Sequence, residues 1–152
     1  MSGAAGDLPT AAREIVDRFE LEPHPEGGWY RQTFRDESPE SAADGVARST
    51  AIYFLLAEGE RSHWHRVLHA AEVWHHYDGD SIRLRLSADG VTIEEHLLGT
   101  DLAAGERPQV VVPLGHWQSA ESLGEWTLAG CTVAPGFDFE RFELAPPGWE
   151  PG

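Results

Sequence analysis

Five of the eight histidines in this 152-residue chain fall between residues 63 and 76: His63, His65, His69, His75 and His76. His63 and His65 are two residues apart, so on a strand both side chains leave the same face. Glu72 follows seven residues after His65, and Trp74 and His76 share its strand parity. A hairpin between residues 66 and 71 would set Glu72 beside the two imidazoles. Two imidazoles and a carboxylate meeting at one point suit a divalent transition metal such as iron, manganese, nickel or zinc, with positions left open for water or substrate. The same residues could instead line a metal-free polar pocket or an ordinary strand surface.

Other residues could shape such a pocket. Gly27-Gly28 allows a tight turn or a close backbone approach next to Glu26. Arg66, beside His65, could hold an anionic group with two parallel hydrogen bonds, or pair on the surface. Trp74 and His75 flank the same stretch, and aromatic walls carrying a few polar groups are typical of small-molecule sites. Cys131 reads as a packing residue in a strand. The chain has no phosphate-cradling glycine loop, no dinucleotide fingerprint and no serine elbow.

The elements that must position these residues are mostly strands. Ala12, Ile15, Val16 and Phe19 make one apolar helical face, which predicts a helix over about residues 10–20 with Thr10 as its N-cap. Pro23, Pro25, Gly27 and Gly28 end it. Trp29 to Arg35, Ser49 to Leu56, Ile82 to Leu86, Gln109 to Val112 and Trp126 to Val133 read as strands. Ala88-Asp89-Gly90 reads as a hairpin turn into Val91, Thr92 and Ile93. Short strands about ten residues apart, punctuated by glycine and proline, predict an all-β sandwich or barrel. Residues 1–9 read as a flexible N-terminus, 36–47 as a polar loop, 10–145 as one domain and 146–152 as an irregular C-terminal tail.

Composition narrows the partners. Acidic residues number 26 against 11 basic ones, for a formal net charge of −15, and every basic residue is arginine. Such a surface repels nucleic acid. The longest apolar run, Ala51 to Ala57, is far shorter than the ~20 residues of a membrane helix. A single cysteine cannot form an internal disulfide and suits a cytoplasmic setting. The expected partner is a small molecule, with no nucleic acid and no membrane.

Gly59-x3-His63-x-His65-x6-Glu72-x6-Gly79 resembles the first cupin motif, and Gly105 with Pro113-x-Gly115 resembles the second. Several strings resemble one microbial cupin family catalogued as a domain of unknown function: Pro23-His-Pro-Glu-Gly-Gly28, Ser49-Thr-Ala-Ile-Tyr-Phe-Leu-Leu56, Glu72-Val-Trp-His75, Gly105-Glu-Arg-Pro-Gln109 and Gly130-Cys-Thr-Val-Ala-Pro-Gly-Phe137. The likeness covers about residues 21–144. It implies a double-stranded β-helix (jelly-roll) cupin barrel with a short N-terminal helix. It also implies a homodimer, and a shape related to sugar-nucleotide epimerases of the RmlC type. A metal-binding cupin supplies a third histidine where this chain has Gln118; His116 is close by, and His75 or His76 could complete the shell instead, with alternation favouring His76, of the same parity as Glu72, in a His63, His65, Glu72 and His76 set. The resemblance leaves two functions open. One is a metal-dependent isomerase or epimerase, or a metal-free variant with a histidine base and a tyrosine acid, acting on a small polar, sugar-like substrate, with His65, Glu72 and Tyr77 as catalytic groups and Glu26, Arg66, Trp74, His75 and Gln118 lining the pocket. The other is a barrel that captures a ligand without turnover.

Overall fold

Alternating strands supply two faces to bury, and two sheets meet over them. The computed structural model describes residues 8–37 and 46–152. The flexible segment expected over residues 1–9 therefore lies outside the described residues except for Leu8 and Pro9, as does most of the polar loop at 36–47. Eleven strands follow one helix, α1 (Thr10–Phe19): β1 (Glu22–Pro23), β2 (Trp29–Arg35), β3 (Thr50–Ala57), β4 (Arg61–Val67), β5 (Ala71–Gly79), β6 (Ile82–Ser87), β7 (Glu94–Leu98), β8 (Gln109–Val112), β9 (Trp117–Ser122), β10 (Trp126–Ala134) and β11 (Phe142–Leu144). A six-stranded sheet runs β1-β2-β3-β10-β5-β8 and a five-stranded sheet runs β11-β4-β9-β6-β7. All strand pairs are antiparallel. Two antiparallel sheets face to face, connected by strands that switch sheets, make the jelly roll.

The inward faces form one core. Phe54, Leu56 and Trp74 from one sheet meet Ile82, Leu84 and Leu86 from the other, all 2% exposed or less. On the outer face of the six-stranded sheet, Ala12 and Val16 of α1 pack with Leu21, Trp29 and Leu55. Pro9 occupies the cap position, so Thr10 is the first helical residue and no side chain caps the helix. The helix ends where Glu20 turns left-handed and donates its N–H to the Val16 carbonyl. On the outer face of the five-stranded sheet, Trp64 and Trp117 pack with Trp149 of the chain's last segment. No described helix is long and apolar enough to cross a membrane.

Two local predictions change. Asp89 Oδ1 accepts the N–H groups of Val91 and Thr92, so the hairpin loop extends to residue 93 and β7 starts at Glu94. The chain between β4 and β5 crosses from one sheet to the other rather than forming a hairpin, so these strands face each other across the barrel.

One irregularity positions the site. Along β4 the register with β9 slips between Ser62 and His65: Ser62 opposes Ala120 while His65 opposes Gln118. Three steps on β4 match two on β9, which is a β-bulge. The freed N–H of His63 donates to the Glu26 carbonyl at 2.7 Å. The loop from His24 to Gly28 is thereby stitched to β4. Gly27 has φ +109°, and a Cβ there would lie 2.0 Å from the Arg61 carbonyl oxygen. Gly27→Ala should destabilise the fold by about 2 kcal/mol or more, because a left-handed backbone and a backbone clash coincide. Urea unfolding checks this, and a loss below about 0.5 kcal/mol contradicts the close approach.

Candidate functional site

Between the sheets, the stitched loop, the bulge and the central strands enclose a cavity lined by His24, Glu26, Tyr30, Thr50, Ile52, Phe54, His65, Glu72, Cys131, Val133 and Phe137. Its volume is about 30 Å3. A water needs roughly 10–15 Å3 on this measure, so the room suits two waters or a few heavy atoms of a ligand. A wider outer recess, lined also by Arg31 and Phe139, shares Tyr30, Thr50, Ile52 and Phe137 with it.

Hydrogen bonds fix where the protons sit. His65 Nδ1 lies 2.8 Å from the His63 carbonyl oxygen, which can only accept, so Nδ1 carries hydrogen. Nε2 of a neutral ring is then bare, and it faces Glu26 Oε2 at 3.2 Å. Burial lowers His65 to about 4. Burial, with Glu72 nearby, raises Glu26 well above the usual carboxyl range. These directions favour the proton on the Glu26 carboxyl, beside a neutral His65 ring. The other Glu26 oxygen accepts from the Ser62 hydroxyl at 2.9 Å. His24 Nδ1 accepts the backbone N–H of Glu26 at 3.1 Å, so its hydrogen is on Nε2. Burial and neighbouring His65 depress His24 to about 3.

Glu72 is held from the opposite side. The Trp74 indole can only donate, and it reaches Gln118 Oε1 at 2.8 Å. This orients the amide, whose NH2 donates to Glu72 Oε1 at 2.8 Å. Burial pushes Glu72 up to about 7, against the hydrogen bonds from Gln118 and Cys131 that favour its ionised form. Glu72 is thus the cavity group poised to exchange a proton near neutrality. Burial, with Glu72 and Glu26 nearby, drives the Cys131 thiol well up, so it stays protonated.

Of the residues expected at the site, Glu26, His65 and Glu72 line the cavity, while Gln118 and Trp74 support Glu72 from behind. The others lie elsewhere. The bulge turns His63 outward, where its Nε2–H donates to the Pro146 carbonyl. His76 Nε2 lies at the barrel end, bonding to the carbonyls of Gly79 and Asp80. A second slip, between His76 and Asp78 on β5, leaves Tyr77 unpaired and 52% exposed. Tyr77 stacks on His75 outside the barrel, and His75 bonds Thr132 there. Arg66 pairs with Glu143 at 2.7 Å and lies over the Trp117 ring on the outer face. His24, Tyr30, Thr50 and Cys131 are the polar cavity groups that strand parity did not single out, and Ser62 supports Glu26 from beside the cavity. His24 lies in the Pro23-to-Gly28 string, on a loop where strand parity does not apply.

The donor set does not suit the divalent metal that the resemblance implies. Of the expected four ligands only His65 and Glu72 face the cavity. The available His65 nitrogen is engaged with the Glu26 carboxyl, and one Glu72 oxygen is engaged with Gln118. Among the described residues, no three His, Cys, Asp or Glu side chains are grouped to hold a metal ion.

The family described as Cupin superfamily (DUF985) matches residues 13–145. The chain belongs to this cupin family. A protein from Shewanella oneidensis, SO0799, is 40% identical, with 87% of this chain and 82% of that one covered at a TM-score of 0.80. A hypothetical protein from Leishmania major is 29% identical, covering 91% and 89% at a TM-score of 0.80. An uncharacterized protein of Saccharomyces cerevisiae, YML079W, is 27% identical over 87% of this chain and 74% of its own. Oxalate decarboxylase from Bacillus subtilis is 18% identical at a TM-score of 0.61, covering 80% of this chain and 29% of that one. At that identity the likeness concerns the cupin barrel.

The protonation pattern has a measurable consequence. Between about pH 4.5 and 6.5, the ordinary values of the two residue types, the folded cupin keeps two carboxyl protons that unfolding releases. It lacks two imidazole protons that unfolding takes up. The raised acids stabilise the fold at low pH and lose that contribution as pH climbs. The depressed histidines contribute above about 6.5 and lose their contribution as pH falls. The slopes cancel, so the site's share of stability is flat there. Glu72→Gln leaves the histidines in excess, and unfolding free energy should rise with pH by roughly 1.4 kcal/mol per unit, relative to the parent, between about pH 5 and 6. Urea unfolding at several pH values reads this slope; parallel curves for variant and parent contradict the pattern.

Proposed function

We propose that this cupin moves protons on a small, polar, sugar-like molecule, as an isomerase or epimerase does. The observation that supports it is the buried contact of the Glu26 carboxyl with His65, 3.2 Å apart, in the cavity that also holds Glu72, a second acid that burial raises to about 7. Two titratable groups with separated proton affinities in one cavity give a base and an acid at the same pH.

Ionised Glu72 takes the proton from a carbon next to a carbonyl. The C–H electron pair becomes a carbon–carbon double bond and the carbonyl π pair moves to the oxygen, which receives the Glu26 proton, to give an enol. Return of a proton to the same carbon on its other face epimerises it; where that carbon bears a hydroxyl, return of the Glu72 proton to the former carbonyl carbon, with loss of the hydroxyl proton to the now ionised Glu26, shifts the carbonyl. Gln118, locked by Trp74, fixes the orientation of the Glu72 carboxyl for this work. Tyr30 is the cavity's tyrosine, in the place expected for Tyr77. No step needs a metal. The manganese named for the Bacillus subtilis oxalate decarboxylase belongs to that protein, and the donor set described above does not favour it in this one.

The test is solvent exchange. Aldoses, ketoses and hydroxy acids are incubated with the protein in D2O, and loss of the carbon-bound proton is followed by NMR. At least one compound should exchange, and Glu72→Gln should slow it by about 100-fold or more. Binding without exchange across the panel means ligand capture rather than catalysis. Exchange that survives both Glu72→Gln and Glu26→Gln refutes the assignment.

A further inference from the structure

His24 has a role that neither its motif nor the proton-transfer groups supply. Its side chain is 5% exposed and lines the cavity. Nδ1 is taken by the Glu26 N–H. That leaves Nε2–H as a donor with no protein acceptor among the described residues. Aromatic rings hold the imidazole in place: Tyr30 meets it edge-on at 4.4 Å and Phe54 stacks on it at 5.5 Å. The ring is held rigidly on the cavity wall, so its Nε2–H is a fixed donor that a ligand oxygen entering this cavity could meet.

The charges around the cavity say which oxygen. No arginine lines it, and the chain has no lysine. The other titratable groups facing it are Glu26, Glu72, His65, Tyr30 and Cys131. Its two histidines are neutral, and two carboxyl groups face the same few heavy atoms. A carboxylate would enter with no counter-charge and would lie against Glu72, which costs both desolvation and repulsion. An ammonium ion would meet the His24 donor head-on. An uncharged oxygen acceptor meets neither obstacle.

We infer that His24 Nε2–H holds the carbonyl oxygen of an uncharged hydroxycarbonyl ligand, and that the cavity rejects carboxylates, oxalate among them. This rests on the proton-transfer reading and narrows it: the neutral imidazole would polarise the carbonyl whose neighbouring proton Glu72 removes. The remainder of a larger ligand extends past Tyr30 and Phe137 into the outer recess.

The experiment uses the whole protein with nitrogen-15-labelled histidine. Hydroxyacetone, oxalate and ethylammonium are titrated separately while the imidazole signals of His24 and His65 are followed. Hydroxyacetone should shift the His24 Nε2–H signal saturably, and oxalate and ethylammonium should not. His24→Phe, which keeps the ring packing and removes the donor, should weaken hydroxyacetone by about tenfold, the scale of one buried hydrogen bond. His24→Gln, which restores an N–H donor, should recover part of it, so a folding defect is separable from a lost donor. Binding of oxalate as tight as that of hydroxyacetone overturns the inference. So does hydroxyacetone moving His65 but not His24, an outcome that leaves the proton-transfer reading standing. If none of the three probes shifts either histidine, both readings fall.

Discussion

The extra residue in β4 is the constraint on which the site depends. Without the slip between Ser62 and His65, His63 would point into the barrel and its N–H would belong to the sheet ladder. With it, that N–H is free to bind the Glu26 carbonyl, and the side chains on either side of the bulge, Ser62 and His65, both reach the Glu26 carboxyl. One backbone irregularity thus docks a loop, buries an acid and gives that acid its partner. The tail reinforces it from outside. Trp149 packs on Trp64, and the Pro146 carbonyl takes the displaced His63 ring, so the bulge is held from both faces. Bulges beside functional sites commonly re-aim a side chain in this way.

The result is a cavity whose polarity comes from neutral groups. Two acids and two histidines share one small space with no basic counter-charge. In such a place ionisation is expensive and proton sharing is cheap. Each hydrogen-bond direction is forced by a group that can only donate or only accept: the Trp74 indole, the His63 carbonyl, the Glu26 N–H. The site therefore carries a defined proton arrangement, with Glu72 as the member nearest to changing it.

Much of this was legible in the sequence, and what was not has an identifiable cause. The strand periodicities located β2, β3, β6, β8 and β10 to within a residue or two, and the motif strings pointed to the jelly roll. His65, Glu72, Glu26 and Gln118 were picked out and all take part in the cavity or its support. His63 lies outside the cavity because alternation along a strand holds only while the register holds, and β4 slips at His63 and Trp64. His76 keeps the parity of Glu72 but sits at the barrel end, and Tyr77, of opposite parity, lies outside beside His75. A slip is a property of two strands, set by the partner's pairing, and one strand's own pattern does not carry it. Arg66 faces outward, opposite to its neighbour His65, as ordinary alternation requires. His24 was missed because it sits on a loop, where no periodicity applies, and only the stitched geometry brings it inside. β9 lacked a clear apolar alternation because Gln118 and Ser119, two of its buried residues, are polar.

The insertion of β10 between β3 and β5 also sets when the site can exist. The cavity's polar groups come from a loop near residue 24, from β4 and β5 near the middle of the chain, and from β10 at residue 131. β10 is the last of the long strands and the one that closes the six-stranded sheet. Contacts between segments so far apart in sequence impose slow folding, on the order of milliseconds to seconds for β folds of this kind. A chain emerging from synthesis would complete its barrel before it could hold a ligand. Nascent or truncated chains would present the two acids to water, where they ionise as ordinary carboxylates. A neutral, proton-sharing cavity is thus a property of the finished barrel and of no shorter piece of it.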